Sequence, residues 1–304
     1  YDAANRLTSV NGVTYTYDDN GNLLSDGART FSYDAANRLT QVTSGTLTTQ
    51  YAYSGDGVRL AQTVNGVTTR YVNDVAARLP HVLSESASQQ VTSYLYGLGM
   101  VATHDSGAWA YQHPDALGSV RQLSDAAGQV TLARSYTPFG RLLSQSGTPQ
   151  GSFGFAGEQQ DVAAGLTFLR ARYYDPTVGR FLTRDPYPAY AAAPSTLHRY
   201  AYVENNPVNL VDPAGLQANR TRLDLRPGRS SPMPTGRSYA PRAFGGGGGG
   251  AGGGGRLGLR RLQQLSRWGR FASDRALRAS RWGSAASRWI PSRWSSVTRW
   301  VSPM

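Results

Sequence analysis

The heptapeptide YDAANRL occupies residues 1–7 and recurs letter for letter at residues 33–39. A looser copy, YDDNGNL, lies between them at residues 17–23, so three copies begin 16 residues apart. A degenerate fourth copy, YSGDGVRL, follows at residues 53–60. A repeat at a fixed period indicates an architecture built from one small unit used many times.

The length of the repeat predicts what each copy forms. Two strands of about five or six residues and two short turns use about 16 residues. In the segment VTYTY, the side chains of Val13, Tyr15 and Tyr17 fall on one face and the two threonines on the other, as in a strand. Asp, Asn and Gly then supply a turn, because they tolerate left-handed backbone angles. Each copy is therefore predicted to form one β-hairpin, and successive hairpins extend a sheet sideways.

Aromatic alternation and turn signals continue to about residue 155, and helical periodicity is weak throughout residues 1–216. The sequence therefore predicts an all-β fold of repeated antiparallel hairpins in a curved or spiralling sheet. The aromatic rows are interpreted as cross-strand ladders that stabilise the sheet, rather than as ligand platforms.

The charged residues are unusual in kind and in distribution. All 31 basic residues are Arg, and the chain has no Cys, which excludes disulfides and Cys-ligated metals. Residues 1–216 carry 14 Arg and 17 Asp or Glu, a net charge of −3, whereas residues 217–304 carry 17 Arg and two Asp, a net charge of +15. The overall charge of +12 therefore says nothing about the partners of the first part.

Several classes of function are disfavoured. The four His residues lack metal-ligand spacing, and no cofactor is expected. No run of about 18 apolar residues is present, so no membrane span is expected. The chain begins inside a repeat, which we interpret as the C-terminal piece of a longer protein.

A second stretch, residues 170–216, contains three Asp-Pro steps, at Asp175-Pro176, Asp185-Pro186 and Asp212-Pro213. A single Asp-Pro step is most simply a turn. These steps, however, lie near Arg172 and directly before the change in composition. Cutting an amide requires an activated water and an acid for the departing nitrogen, and two carboxyls that share a proton supply both. The stretch is therefore a candidate aspartyl-protease-like site, with the substrate in the same chain.

The YDAANRL copies resemble the YD repeats of the RHS (rearrangement hotspot) family. Residues 111–140, with HPDALGSVR and YTPFG, resemble the start of the RHS-associated core, and residues 153–216 resemble its remainder, ending in DPAGL. Relatives include the C components of insecticidal Tc toxins, bacterial polymorphic toxins and teneurins. The resemblance implies a hollow β shell that the core plugs at one end, with a toxic C-terminus held inside.

The resemblance divides the chain into four parts. Residues 1–110 are a YD-repeat shell segment, and residues 111–216 are the core. Residues 217–255 are predicted to be a disordered, Gly-rich linker. Residues 256–304 form a basic tail of Arg-Trp pairs, whose first two turns have helical spacing.

The resemblance also implies the roles of three residues. The family's catalytic Arg and two Asp match Arg172, Asp185 and Asp212, and the implied scissile bond is Leu216–Gln217. One departure concerns the loop between the two acids, which reads YPAYAAAP after Asp185 where relatives carry a short Gly-containing run.

Most of the other charged residues near this candidate site are expected to stabilise the fold rather than to take part in catalysis. Arg170, expected on the same strand face as Arg172, is the alternative functional arginine. Arg180 is expected in a structural ion pair, and Asp175 in a turn. Two isolated histidines are expected to be packed rather than catalytic: His113 and His198.

The tail does not resemble an ordinary enzymatic toxin. It contains no His, Glu, Lys or Cys, and its only carboxylates are Asp224 and Asp274. Nuclease or deaminase chemistry lacks the acid–base groups that it requires. Two interpretations stay open: a cationic tail that contacts anionic membranes or nucleic acid, or a degenerate or frame-shifted end.

The first functional hypothesis is a fragment of a toxin-delivery protein, whose core encloses and autoproteolytically releases the segment after Leu216. The alternative is a non-enzymatic cell-surface or adhesion scaffold. Expected partners are the upstream shell of the same polypeptide and a secretion or delivery apparatus, while an immunity protein cannot be inferred from the residues. The resemblance implies a secreted or cell-surface location.

Overall fold

The computed structural model describes residues 1–77, 79–186 and 194–216, and the backbone of residues 219–220. The predicted linker and Arg/Trp tail lie outside these residues, as does Gln217 on the far side of the predicted scissile bond. None of the helices in the described part of the chain has the length and apolar character that a membrane crossing requires.

In the described residues, a continuous antiparallel sheet of fourteen strands dominates the fold, and each strand pairs with the next along the chain. We call this sheet the strip. It runs through the predicted boundary at residue 110 without interruption. A separate hairpin consists of β1 (Ser9–Val10) and β2 (Val13–Thr14). The strands of the strip are β3 (Thr16–Tyr17), β4 (Leu23–Ser25), β5 (Arg29–Tyr33), β6 (Leu39–Ser44), β7 (Leu47–Tyr53), β8 (Arg59–Val64), β9 (Val67–Asp74), β10 (His81–Ala87), β11 (Gln90–Tyr96), β12 (Met100–Asp105), β13 (Ala108–Pro114), β14 (Val120–Ser124), β15 (Val130–Tyr136) and β16 (Leu142–Gly147).

Residues 153–216, together with the backbone of residues 219–220, form a second part of the structure, which we call the plug. Its centre is a four-stranded antiparallel sheet in the order β17–β18–β19–β20, and three short 3₁₀ helices accompany it. A further strand, β21, pairs with the backbone of β22. The elements are η1 (Phe155–Gly157), β17 (Gln159–Asp161), β18 (Leu166–Leu169), β19 (Arg172–Asp175), β20 (Arg180–Phe181), η2 (Pro194–Leu197), η3 (Val203–Asn205), β21 (Leu210–Val211) and β22 (Asn219–Arg220).

The repeat sequence is explained by contacts within and between hairpins. One carboxylate oxygen of Asp34 accepts the backbone N–H groups two and four residues later, both at 2.9 Å, and the other accepts Nε of Arg38 at 2.7 Å. Asn37 takes the left-handed turn position, with φ of 61°. The Arg38 guanidinium lies over the ring of Tyr53 in the next copy, 5.2 Å from its centroid. The Tyr53 hydroxyl donates back to the carbonyl of Leu39 at 2.7 Å.

The same contacts recur in other copies. Asp2 and Arg6 form the equivalent ion pair at 2.6 Å, and Arg6 lies over the ring of Tyr17. Tyr33 likewise donates to the carbonyl of Leu23, at 2.9 Å. The Asp therefore caps its own turn, while Arg and Tyr connect each hairpin to its neighbour. The prediction of an all-β fold of repeated antiparallel hairpins is confirmed.

The plug packs against the buried side of the strip. In β7, buried Thr49 and Tyr51 alternate with exposed Gln50 and Ala52, the pattern of a sheet with one covered face. Leu39 and Tyr51 of the strip share one hydrophobic core with three residues of the plug: Leu166, Phe168 and Tyr173.

A buried ion pair also joins the two units. Asp175, predicted as a turn residue, does accept the N–H of Thr177 at 2.7 Å. Its other oxygen, however, accepts the guanidinium of Arg29 in β5, and the residue is only 2% exposed. The Asp175-Pro176 step is therefore both a turn and an attachment point on the strip.

Candidate functional site

Three residues that are distant in the sequence converge in the plug. Arg172 begins β19, Asp185 lies beyond β20, and Asp212 directly follows β21. Nη2 of Arg172 is 2.8 Å from Oδ2 of Asp185 and 3.6 Å from Oδ2 of Asp212. One guanidinium nitrogen therefore lies between the two carboxylates that the sequence analysis selected.

Arg172 is fixed on every side. The residue is 4% exposed, and its central guanidinium carbon lies 3.6 Å from the centroid of the Phe181 ring. Its Nη1 donates to the carbonyl of Arg199 at 3.1 Å, and its Nε donates to the carbonyl of Gly215. Burial lowers the pKa of Arg172 from its usual value, an effect that the nearby carboxylates of the site oppose. The contacts hold the charged group in a single orientation.

Asp212 folds the DPAGL segment into a turn beside this arginine. The residue is 3% exposed, and its Oδ1 accepts the backbone N–H of Leu216 at 3.0 Å. Its carbonyl accepts the N–H of Gly215 at 3.3 Å. Since Arg172 binds the Gly215 carbonyl, the Gly215–Leu216 peptide group is held at both its oxygen and its nitrogen. The predicted scissile bond begins at the next carbonyl carbon.

Only glycine fits the fourth position of DPAGL. The backbone of Gly215 has φ of 69°, in the left-handed region. A Cβ atom placed there would lie 2.2 Å from the carbonyl oxygen of Leu169, closer than any real contact allows. The glycine therefore lets the turn approach the end of β18 and come within reach of Arg172.

Asp185 is held by its backbone as well as by Arg172. Its N–H donates to the carbonyl of Arg199 at 3.0 Å, and its own carbonyl accepts the guanidinium of Arg199. The unusual loop between the acids is thus closed at its base, although residues 187–193 lie outside the described part. A loop closed in this way can vary in length while its ends stay in place.

Arg170 does not share a strand face with Arg172, contrary to expectation. It lies in the turn between β18 and β19 with φ of 58°, a left-handed conformation that is unusual for arginine. Its guanidinium donates to the carbonyl of Pro213, to Glu158 at 2.7 Å and to the carbonyl of Pro80 at 3.2 Å. Arg170 therefore ties the DPAGL turn to the strip.

The prediction that Arg180 forms a structural ion pair was wrong. Among the described residues Arg180 forms no ion pair, and it contacts the His198 ring at 2.6 Å and the hydroxyl of Tyr1 at 3.0 Å. Burial, followed by the charge of Arg180, lowers the pKa of His198. His113, which was expected to be packed, is instead exposed, and its ring forms a hydrogen bond with Ser124 at 2.8 Å.

A cavity of about 310 Å³, which the sequence does not predict, lies beside the DPAGL turn. Leu216 and Ala214 line it, together with apolar side chains of both the strip and the plug. No local motif signals this cavity, because its walls come from strands that are far apart in the sequence. In the described residues no group of three or more His, Cys, Asp or Glu side chains is placed to hold a metal ion.

The hairpin strip and the plug that ends in DPAGL define an RHS, or YD-repeat, shell protein. The teneurin YD-shell family model matches residues 1–208, and the chain belongs to that family. The resemblance stated from the sequence is thereby confirmed.

The curated relatives are large proteins of which this chain matches a small part. It is 35% identical over 224 residues to the tRNA3(Ser)-specific nuclease WapA of Bacillus spizizenii, covering 71% of this chain and 10% of that protein. It is 30% identical over 262 residues to double-stranded DNA deaminase toxin A of Burkholderia cenocepacia, covering 71% of this chain and 18% of that protein. The chain therefore spans between about a tenth and a fifth of these relatives.

A solved structure supports the fold. The complex TcdB2–TccC3–Cdc42 aligns with a TM-score of 0.54 at 23% identity, over 66% of this chain and 11% of that one. At this identity the likeness concerns the fold alone. The chain is thus a segment of a YD-repeat shell that is similar to parts of much larger toxin proteins.

Proposed function

We propose that this chain is the C-terminal part of an RHS-type toxin-delivery protein, in which the plug cuts the bond after Leu216 and releases the following segment. The observation that carries the proposal is the position of Arg172 between Asp185 and Asp212. Asp212 in turn holds the N–H of Leu216, the residue at which the bond to be cut begins.

The chemistry requires no group beyond the site and one water molecule. One unprotonated carboxyl removes a proton from water, and the oxygen attacks the carbonyl carbon of Leu216. The protonated carboxyl gives its proton to the nitrogen of Gln217, so that the C–N bond breaks. The products are a carboxyl group on Leu216 and an amino group on Gln217. Arg172 keeps both acids and the preceding peptide group in fixed positions while this occurs.

The covalent connection makes a modest catalyst sufficient. The substrate is part of the enzyme, so the reacting groups meet at a very high effective concentration, and each molecule needs to react once. The burial of Arg172 and Asp212 also excludes bulk water, which strengthens the electrostatic interactions in the site.

The relatives support a wider proposal about the whole protein. We propose that the upstream shell of the same polypeptide completes an enclosure around the released segment, and that a secretion or delivery apparatus carries the assembly to the cell surface or the medium. The nuclease and deaminase activities named for relatives are not assigned to residues 217–304, because that segment contains only two carboxylates and no His. For this tail, contact with anionic membranes or nucleic acid stays one proposal and a degenerate end the other.

The teneurin family model favours a second candidate, a cell-surface scaffold in which the plug performs no chemistry. The two proposals are separated by expressing the protein with its upstream repeats and sequencing any fragment that begins at Gln217. Asp212→Asn should abolish that fragment, and Asp19→Asn, which changes an exposed carboxylate, should leave it. Intact wild-type protein would support the scaffold.

A further inference from the structure

The cavity beside DPAGL is bounded on one side by Leu216 itself. Leu216 is half-buried, and its N–H is fixed by Asp212, so its side chain projects from a backbone that cannot rotate freely. The rest of the wall includes apolar side chains of both units: Val58, Val82, Tyr96 and Met100 from the strip, and Phe153 and Phe168 from the plug.

The wall is rigid because it is part of the core. Val82, Phe153 and Phe168 are each between 7% and 8% exposed. Val82 and Phe153 belong to one hydrophobic cluster, and Phe168 belongs to the cluster that joins the strip to the plug. Closely packed walls of this kind discriminate between side chains by shape and polarity.

Three arginines that line the cavity already make polar contacts. Arg170 pairs with Glu158 at 2.7 Å, and Arg38 pairs with its own turn aspartate. Arg59 donates to the hydroxyl of Tyr173 at 3.1 Å and to a side-chain oxygen of Gln159 at 2.8 Å. A carboxylate that entered from the DPAGL turn would lose its hydration, would compete with these contacts, and would approach two acidic residues that also line the cavity, Asp56 and Glu158.

We infer that this cavity is the side-chain pocket for residue 216, and that it makes self-cleavage selective for an apolar residue before the scissile bond. The inference rests on the autoproteolysis proposed above and adds its specificity. The space of about 310 Å³ exceeds one leucine side chain, so larger apolar side chains should also be accepted.

The pocket is composite, which makes the strip part of the site. Four of its apolar wall residues belong to the strip, and Arg170 connects the carbonyl of Pro80 beside β10 to the carbonyl of Pro213 in DPAGL. The pocket is therefore complete only when the plug is docked on the strip. A substitution in the strip, such as Met100→Trp, should change which residues at position 216 are cut.

The test compares Leu216→Met, Leu216→Phe and Leu216→Asp in the protein with its upstream repeats, following the fragment that begins at Gln217. We expect Met and Phe to be cut within about threefold of the wild-type rate, and Asp to be cut about 100-fold more slowly. Val208→Asp, on an exposed side chain of the same segment, is the control and should be cut at the wild-type rate. Equal cleavage of all three variants at position 216 would overturn the inference and leave autoproteolysis intact.

Two further measurements separate specificity from folding. Met100→Trp should slow the cleavage of Leu216→Phe more than that of Leu216→Ala, because it reduces the space in the pocket. In the uncut Asp212→Asn background, Leu216→Asp should lower Tm and Leu216→Met should not. Unchanged Tm in both would show that the side chain does not use the pocket. Intact wild-type protein would remove autoproteolysis and, with it, the assignment of specificity.

Discussion

Arg59, on β8 of the strip, lies over the ring of Phe168 in the plug, with its central guanidinium carbon 4.2 Å from the ring centroid. The arginine is 3% exposed, and its side chain also donates to Tyr173 and Gln159 of the plug. A buried cation thus joins the two units through aromatic faces and neutral oxygen atoms.

Arg59→Ala should destabilise the protein by about 3 kcal/mol, because it leaves a void and removes the donors to Tyr173 and Gln159. Urea unfolding of the uncut Asp212→Asn protein measures the effect. Arg141→Ala changes an exposed arginine and should alter the free energy of unfolding by less than about 0.5 kcal/mol. Equal losses for the two variants would contradict a joining role for Arg59.

Asp175→Asn should weaken the docking of the plug, because it leaves the half-buried charge of Arg29 without one of its two carboxylates. We expect a loss of about 3 kcal/mol, the range found when one partner of a buried pair is removed. Hydrogen exchange should increase in β18 and β19 before the outer strands of the strip. Asp34→Asn breaks a more exposed pair and should cost less than about 1 kcal/mol; a larger loss there would show that exposure does not decide the effect.

Gly215→Ala should slow self-cleavage by at least about 10-fold, since the added methyl group meets the carbonyl of Leu169 and displaces the turn. The control is Gly128→Ala, at a position with φ of 80° where a Cβ would meet nothing within 4 Å. Both variants carry the cost of a left-handed alanine, about 1 kcal/mol. Only the first should change the rate at which the Gln217 fragment appears, and a change in both would implicate backbone strain alone.

Stability should depend on the protonation of Glu85 in β10. Burial raises the pKa of its carboxyl, an effect that hydrogen bonds from Tyr94 and Ser152 partly oppose. A carboxyl whose pKa is higher in the folded state binds more protons when the protein is folded. The stability of the folded state therefore decreases as the pH rises above the pKa that this carboxyl has in the unfolded chain. The Tm of Glu85→Gln relative to wild type should therefore fall as pH is lowered from about 7 to about 5. Glu204→Gln, at an exposed position, is the control, and parallel curves for both variants would contradict the prediction.

The sequence was sufficient for the local structure and for the selection of an arginine and two carboxylates that lie close together. Asp34 and Arg38 are four residues apart, so a repeated motif predicts their hairpin turn directly. Arg172, Asp185 and Asp212 were selected through a resemblance, and the structure places them together.

Contacts between the strip and the plug could not be predicted in the same way. Arg29 and Asp175 are 146 residues apart, and nothing in their local sequence specifies the partner. The left-handed conformation of Arg170 results from its three anchoring contacts, which override the ordinary preference of an arginine. The pocket at residue 216 has the same origin, because its walls meet only after the plug has docked.

The stacking of Arg38 on Tyr53, and the return hydrogen bond from that tyrosine, reach no further than the adjoining hairpin. Hairpins that make no contact with the plug could therefore be gained or lost in evolution without changes in the others. The size of a YD-repeat shell would then change in discrete increments, while the plug and the strands it contacts are inherited unaltered.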